Sequence, residues 1–214
     1  DFRKTFGIAP GAAAAVARLK DATIKPVDIG RLTCLTRNGE PTVRYFINIG
    51  SFGLSGVIVD SVNRARIAKL FGGSFAFAFH SLAGMMRYRE RTVRIRVDGD
   101  FDEIASISTV AVANGQYFGG GMRVAPHARP DDGLFDVIIM GGTSKGRAMA
   151  DMKLIYTGEH LSNPAVRSLR GAKIVAAPVA ETRGRPVLIE VDGESAGRLP
   201  ATFEILPRAL NLRC

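Results

Sequence analysis

Two acidic turns repeat in this chain: Val97-Asp98-Gly99-Asp100 and Val191-Asp192-Gly193-Glu194. Carboxylates two residues apart on a tight turn can divide the work of proton transfer. One orients its neighbour or binds a cation, and the other accepts a hydroxyl proton. The same residues also make an ordinary Asp-Gly hairpin turn, because each run ends an alternating strand pattern. Composition barely separates the two. The first is followed by Asp102 and Glu103, as a solvated loop is; the second is preceded by Glu190 and followed by the small residues Ser195-Ala196-Gly197.

A third acidic group lies in the run from Gly119 to Val137. Gly119-Gly120-Gly121 permit close backbone approach, and Pro126, Pro130 and the Asp131-Asp132-Gly133 turn constrain the loop before an apolar strand. Such constraint points to a functional loop rather than a plain hairpin connection. Asp131, Asp132 and Asp136 offer oxygens to a hard cation. Mg²⁺ takes one or two carboxylates and completes its octahedron with carbonyls and water. A polar turn without an ion explains the same residues. Gly141-Gly142-Thr143-Ser144-Lys145-Gly146 lacks the Gly-Lys-Ser/Thr order of a phosphate loop and reads as a helix N-cap. His80, His127 and His160 have no metal-ligand spacing, and no Ser-His-Asp or Cys-His order can be defended.

The elements that must position these groups are mainly strands. Period-2 alternation marks Ile29 to Cys34 and Val43 to Ile47 as a hairpin about Asn38-Gly39, and marks Val93 to Val97 with Arg94 and Arg96 on the solvent side. Ile107 to Ala113, Leu134 to Met140, Lys173 to Ala177, Val187 to Val191 and Phe203 to Leu206 add further strands. About eight strands joined by short turns predict an antiparallel β-sandwich or distorted barrel with peripheral helices, an α+β fold that is mainly β. Helices are predicted over Pro10 to Lys20, Leu54 to Leu70 and Thr143 to Tyr156, the last with Thr143-Ser144 as caps.

The chain has 214 residues and a formal net charge of +9. That length holds one full core, and the charge favours an anionic partner: nucleotide, anionic lipid surface or nucleic acid. Trp is absent and most Phe residues sit in apolar runs, so the aromatic interleaving of a nucleic-acid binder is missing. No apolar stretch is long enough to span a membrane. The longest, Ser74 to Met86, ends in a basic cluster of Arg87, Arg89, Arg91, Arg94 and Arg96. This combination suits docking on an anionic membrane, and equally a core helix beside a solvated strip. Cys34 and Cys214 form no disulfide or metal framework, which predicts a reducing, cytoplasmic setting. A start at Asp1 without Met or a secretory pattern predicts a piece that begins inside something larger.

Taken in order, these segments resemble the diacylglycerol kinase catalytic family, which includes sphingosine kinases and bacterial lipid kinases. Asp1-Phe2-Arg3-Lys4-Thr5-Phe6-Gly7-Ile8 is similar to the end of its GTGNDFAR-x-LGI segment. Asn48-Ile49-Gly50-Ser51-Phe52-Gly53 is similar to its N-x-x-S-x-G strand end. Asn114-Gly115, Gly119-Gly120-Gly121, Ala125-Pro126 and Asp131-Asp132-Gly133 resemble its NG…GGG…AP…DDG loop, and Val191-Asp192-Gly193-Glu194 its VDGE ending. Each motif is weak alone; the ordered set covers nearly the whole chain.

The resemblance implies an ATP-dependent lipid kinase of the diacylglycerol kinase/NAD kinase-like superfamily. Residues 1–22 would be a residual segment of the nucleotide-binding domain with its connecting helix, and residues 23–214 the β-sandwich domain that takes the lipid. It implies Glu194 as the base for the lipid hydroxyl, and Asp192 assisting it or a catalytic Mg²⁺. Asp98 and Asp100 then revert to a hairpin turn. It further implies a largely structural Mg²⁺ on the Asp132 side chain with the carbonyls of Arg129 and Leu134, and Asp1 as the remnant of the ATP-binding element. The family's GGDGT loop is not in this chain, so the chain alone is expected to be inactive, with ATP bound through an upstream domain. Peripheral membrane association is implied, nucleic acid is not, and a homodimer is left open. Two other readings explain the same scaffold. One is a non-catalytic lipid- or nucleotide-binding module, which would not need both Asp192 and Glu194; the other is a soluble-substrate kinase of the NAD kinase type, which accounts less well for the VDGE ending.

Overall fold

The computed structural model describes residues 1–8, 10–12, 16, 23–64, 88–142, 144–179 and 186–213. The predicted helix over Ser74 to Met86, Arg87, most of the predicted helix after Pro10, and Cys214 lie outside the described residues.

Alternation builds the first hairpin as expected. β1 (Ile24–Leu35) pairs antiparallel with β2 (Pro41–Phe46), and Gly39 takes the left-handed conformation in the turn at φ 94. β3 (Ile49–Gly53) leads directly into helix α2 (Leu54–Arg64); α1 is the short N-terminal turn Phe2–Thr5. Then come β4 (Arg91–Val97), β5 (Phe101–Ile107), β6 (Thr109–Ala113) and β7 (Phe135–Met140). Helix α3 (Lys145–Thr157) is capped by Ser144, whose side chain accepts from Arg147 N, as the N-cap reading of this segment requires. β8 (Val166–Gly171), β9 (Lys173–Pro178), β10 (Leu188–Val191) and β11 (Glu194–Arg213) complete the chain.

The eleven strands form one sheet in the order β5-β4-β9-β11-β10-β3-β6-β7-β8, with β1 joining β11 to β2, and every pairing is antiparallel. The sheet curls because the chain passes between its distant parts at two single-residue corners. Ser108 separates β5 from β6, and Ala172 separates β8 from β9. Strands that bend from one layer to another at such corners are how a sandwich encloses its core. Phe46, Phe52, Phe135 and Phe203 meet inside, with Phe46 and Phe135 stacked at 5.7 Å.

Three expectations need correction. The residues after the first acidic turn are not a loop: Asp102 and Glu103 lie in β5 on opposite faces of the strand, both exposed, with Asp102 held by Arg94 and Glu103 by Arg167. β8 has too mixed a sequence for alternation to reveal it. The predicted strand over Phe203 to Leu206 is the middle of the 20-residue β11. Its Pro200 and Pro207 argue locally against a long strand, but successive partners β10, β9 and β1 hold it extended.

β6, and β7 as far as Ile139, are buried on both faces rather than alternating. Their second face is covered by the loop bearing Val124, Ala125 and Ala128, backed by Ile155 and Leu161. That cover lies beside β3, which pairs with β6 on one side and with β10, the strand leading into the second acidic turn, on the other.

Candidate active site

The second acidic turn is braced at nearly every polar group it has. Asp192 sits in the left-handed region at φ 50, which Asp tolerates better than most side chains. Its carboxylate accepts three backbone N–H groups: Ile47 at 2.9 Å on Oδ2, and Asn48 at 3.1 Å and Ile49 at 3.0 Å on Oδ1. Its own N–H donates to the Ile49 carbonyl at 3.0 Å. Asp192 therefore latches the β10–β11 hairpin to the corner between β2 and β3. That engagement gives both of its oxygens backbone N–H donors.

Gly193 follows at φ 86, with its N–H donating to Glu190 Oε2 at 2.9 Å and its carbonyl 3.5 Å from Asn63 Nδ2 in α2. Glu190 is 3% exposed. Its other oxygen meets the Ser51 hydroxyl, which lies 2.7 Å from the Ser55 hydroxyl in the first turn of α2. Burial pushes the Glu190 carboxyl up to about 7, against the hydrogen bonds from Ser51 and Gly193 and with the Asp192 charge adding to the push. Glu194, the last acid of the turn, is exposed, and among the described residues its carboxylate takes no part in this bracing.

Asn48, at the latched corner, connects the turn to the glycine-rich loop. Its amide Nδ2 donates to the Tyr117 carbonyl at 2.9 Å, and its carbonyl accepts from Asn114 N and Gly115 N, both at 2.9 Å. A Cβ on residue 115 would fall 2.2 Å from Asn48 Oδ1, so Gly115 is required for Asn48 to sit there. Asn114 Nδ2 in turn donates to the Ile47 and Asp28 carbonyls at 2.7 and 2.9 Å. At the far end of the loop, Gly120 N–H donates to Asp1 Oδ2 at 2.8 Å and Thr5 Oγ1 accepts from Gln116 N at 3.1 Å. A continuous line of hydrogen bonds thus joins Asp1, the 114–121 loop, Asn48 and the Asp192 turn. The predicted Asp1 and Asp192 fall along this line, and Glu194 stands at its end, two residues beyond Asp192.

Asp132 belongs to a different neighbourhood. Buried Asp28 organises it, accepting Gly133 N and Arg208 N at 2.7 Å each while its own N–H donates to the Pro130 carbonyl. Asp132 Oδ1 accepts Leu134 N at 3.2 Å and Oδ2 pairs with the Arg170 guanidinium. Arg170 Nε lies 3.6 Å from Asp136 Oδ2, a buried oxygen with no hydrogen-bond partner among the described residues. Burial pushes the Asp136 carboxyl up against the pull of Arg170, with Asp132 adding to the push. Of the donors the resemblance implies for Mg²⁺, the Asp132 carboxylate is in place with the Asp136 carboxyl close behind it across Arg170. The ion fits only where Arg170 gives way, because its guanidinium already neutralises Asp132. No group of three or more His, Cys, Asp or Glu that could hold a metal occurs among the described residues.

Of the three histidines, His80 lies outside the described residues. His160 is buried with Nε2 3.0 Å from the Val124 carbonyl, and His127 is exposed. Arg94 pairs with Asp102 through two 2.7 Å contacts, so part of the basic strip is already neutralised. Among the described residues no helix is long and apolar enough to cross a membrane. Sequence reasoning missed Glu190, Asp28 and Arg170 as site residues. The available signal for Glu190 was an acid interrupting the apolar run Val187 to Val191.

Comparison with known proteins gives the chain a family and a fold. The chain is 26% identical over 215 residues to a diacylglycerol kinase of Mycobacterium tuberculosis, covering 99% of this chain and 65% of that protein. It is 32% identical over 214 residues to a Pseudomonas aeruginosa protein named probable lipid kinase YegS-like, covering 99% and 64%. It thus spans less than two thirds of the length of these relatives. In fold it is similar to the crystal structure of a diacylglycerol kinase from Bacillus anthracis, with a TM-score of 0.62, 18% identity, and coverage of 99% of this chain and 61% of that one. The YegS C-terminal NAD kinase beta sandwich-like domain matches residues 48–214, and the chain belongs to that family.

Proposed function

We propose that this chain is the lipid-side, base-carrying domain of an ATP-dependent lipid kinase. Glu194 removes the proton from a lipid hydroxyl as its oxygen attacks the γ-phosphorus of ATP. A bond forms between the lipid oxygen and phosphorus, the bond to the β–γ bridging oxygen breaks, ADP leaves and the proton resides on Glu194. Phosphoryl transfer depends on positioning and charge neutralisation more than on covalent chemistry, so a rigidly held base is the part such a domain has to supply. The observation that carries this reading is the bracing of the Asp192–Glu194 turn. Asp192 and Glu194 are both exposed, but Asp192 and Gly193 are committed to the backbone corner, Glu190 and Asn63, whereas among the described residues the Glu194 carboxylate takes no part in the bracing.

Asp192 assists by holding the turn. Asp1, fastened to Gly120, marks the side on which ATP would arrive from an upstream nucleotide-binding domain. Mg²⁺, when bound, supplies neutralisation of phosphate charge, and a separate structural ion would sit on Asp132 with the Arg129 and Leu134 carbonyls after displacing Arg170. The net charge of +9 favours peripheral contact with an anionic membrane surface, where the lipid resides. The test is ATP-dependent radiolabel transfer onto mixed membrane lipids by the full-length protein. Glu194→Gln is expected to abolish transfer with the fold retained; unchanged transfer would remove the base assignment.

A further inference from the structure

We infer that Glu190 is a positioning residue for Glu194, clamping the Asp192–Glu194 turn from beneath through Gly193 N–H and the Ser51 hydroxyl. The inference deepens the proposed function and rests on the assignment of Glu194 as base.

Hairpin geometry alone does not call for this acid. The other Val-Asp-Gly turn closes a regular hairpin with Arg96 at the corresponding position, and Arg96 is exposed. Nor does packing call for it. β10 is buried on both faces, where an apolar side chain would avoid the cost of taking a carboxyl out of water. A buried acid kept at such a place is informative when both its oxygens are used, and here both are. Oε2 accepts the Gly193 N–H at 2.9 Å, one residue before Glu194, and Oε1 meets Ser51 Oγ.

The far side of the clamp is as firm as the near side. Ser51 continues to Ser55 at 2.7 Å, in the first turn of α2. Helix α2 lies so close to β10 that a Cβ on Gly56 would fall 2.3 Å from the Leu188 carbonyl, and its Asn63 reaches back to the Gly193 carbonyl. The β10–β11 pairing also slips its register between Ile189 and Glu190. Such irregularities re-aim a side chain at the end of a ladder. Turn, β10 and α2 are therefore one unit, with Glu190 at its centre.

The one hydroxyl proton of Ser51 can serve Glu190 or Ser55 but not both. Two arrangements complete the chain: a neutral carboxyl donating to Ser51, which donates to Ser55, or Ser55 donating to Ser51, which donates to an ionised carboxylate. The upward push that burial exerts on this carboxyl favours the neutral form. Glutamine offers the same donor and acceptor without charge, which sets the decisive comparison.

The experiment measures kcat and lipid KM for full-length protein carrying E190L, E190Q, S51A or E194Q, with amide hydrogen exchange at Gly193 read on the same proteins. E190L is expected to lower kcat by roughly tenfold to a hundredfold with KM within about twofold, since a slightly misplaced group costs rate rather than binding. Gly193 should lose protection in step. E190Q should restore kcat to within about threefold, and S51A should fall between them and keep the comparison readable if E190L does not fold. A wild-type kcat in E190L, or in S51A where E190L does not fold, overturns the inference, as does an E190Q as impaired as E190L. If E194Q abolishes transfer while E190L leaves it intact, the positioning role alone falls; if E194Q has no effect, the base assignment falls with it.

Discussion

The two Val-Asp-Gly turns use one latch at two places. Asp98 and Asp192 both stand in the left-handed region, at φ 48 and φ 50. Each donates its N–H to a carbonyl across a strand corner and accepts that corner's amides on its carboxylate. Asp98 takes Ala172 and Lys173 between β8 and β9, and Asp192 takes Ile47, Asn48 and Ile49 between β2 and β3. The aspartates themselves are thus architectural in both. What differs is the surroundings. The first latch closes on Ala172, above exposed Arg96, whereas the second closes on Asn48, which holds the glycine-rich loop, above buried Glu190. A shared turn becomes a candidate active site through the corner it grips and the residue beneath it.

The largest effect that would break this contrast is catalytic. In full-length protein Glu194→Gln should cut lipid phosphorylation by roughly 100-fold or more, the scale of a lost general base, and Asp100→Asn should leave it at wild-type level. Equal effects from both would make the turns equivalent.

The second effect concerns pH. The Glu190 carboxyl is raised to about 7 in the folded chain from an ordinary value of 4.5. Folding then favours the protonated form. Its contribution is complete below about pH 4.5 and is lost as pH rises through about 7, a change on the order of 3 kcal/mol. Denaturant titrations of this chain should show stability falling over that window, and Glu190→Gln should flatten the slope. Arg96→Gln at the other turn should not alter it.

A smaller effect separates latch from chemistry. Asp192→Ala and Asp98→Ala should each destabilise the chain by roughly 2 kcal/mol, because each strands backbone amides that a carboxylate had accepted. Thermal melts will show that loss in both. Only Asp192→Ala should also reduce phosphoryl transfer, and a transfer defect in Asp98→Ala would undo the distinction.

The smallest effect tests the third acidic group. If Arg170 competes with Mg²⁺ for Asp132, then Arg170→Met should show a larger Mg²⁺-dependent rise in Tm than the parent chain, by about 1 kcal/mol. Asp132→Ala should lower Tm more than it lowers transfer. An identical Mg²⁺ response in parent and Arg170→Met would remove Arg170 from the account.

Much of the fold can be read directly from the residues. Val93 to Val97 alternates because one face meets the core and the other meets water, and Asn38-Gly39 lies in the turn that closes the first hairpin. The reading weakens where that one-sided rule stops applying. β5 carries Asp102 and Glu103, which suggest a loop, yet it is an edge strand whose exposed charges, one on each face, meet Arg94 and Arg167. Strand β11 runs through two prolines because partners on both sides hold it extended. Neither cause is local.

The candidate site divides in the same way. Its motifs are contiguous in sequence, so Asn48, Asn114-Gly115 and Asp192-Gly193-Glu194 could be recognised as an ordered set before any fold was known. Residue type and spacing also determined that the chain would be a basic, mainly β domain with a capped helix after Gly142. Only the tertiary structure decided what each acid does. It joined Asp192 to three amides more than 140 positions earlier in the chain, placed Glu190 under the turn and set Arg170 against Asp132. The physical reason is that a carboxylate's role is set by which donors and how much water surround it, and packing of distant segments supplies both.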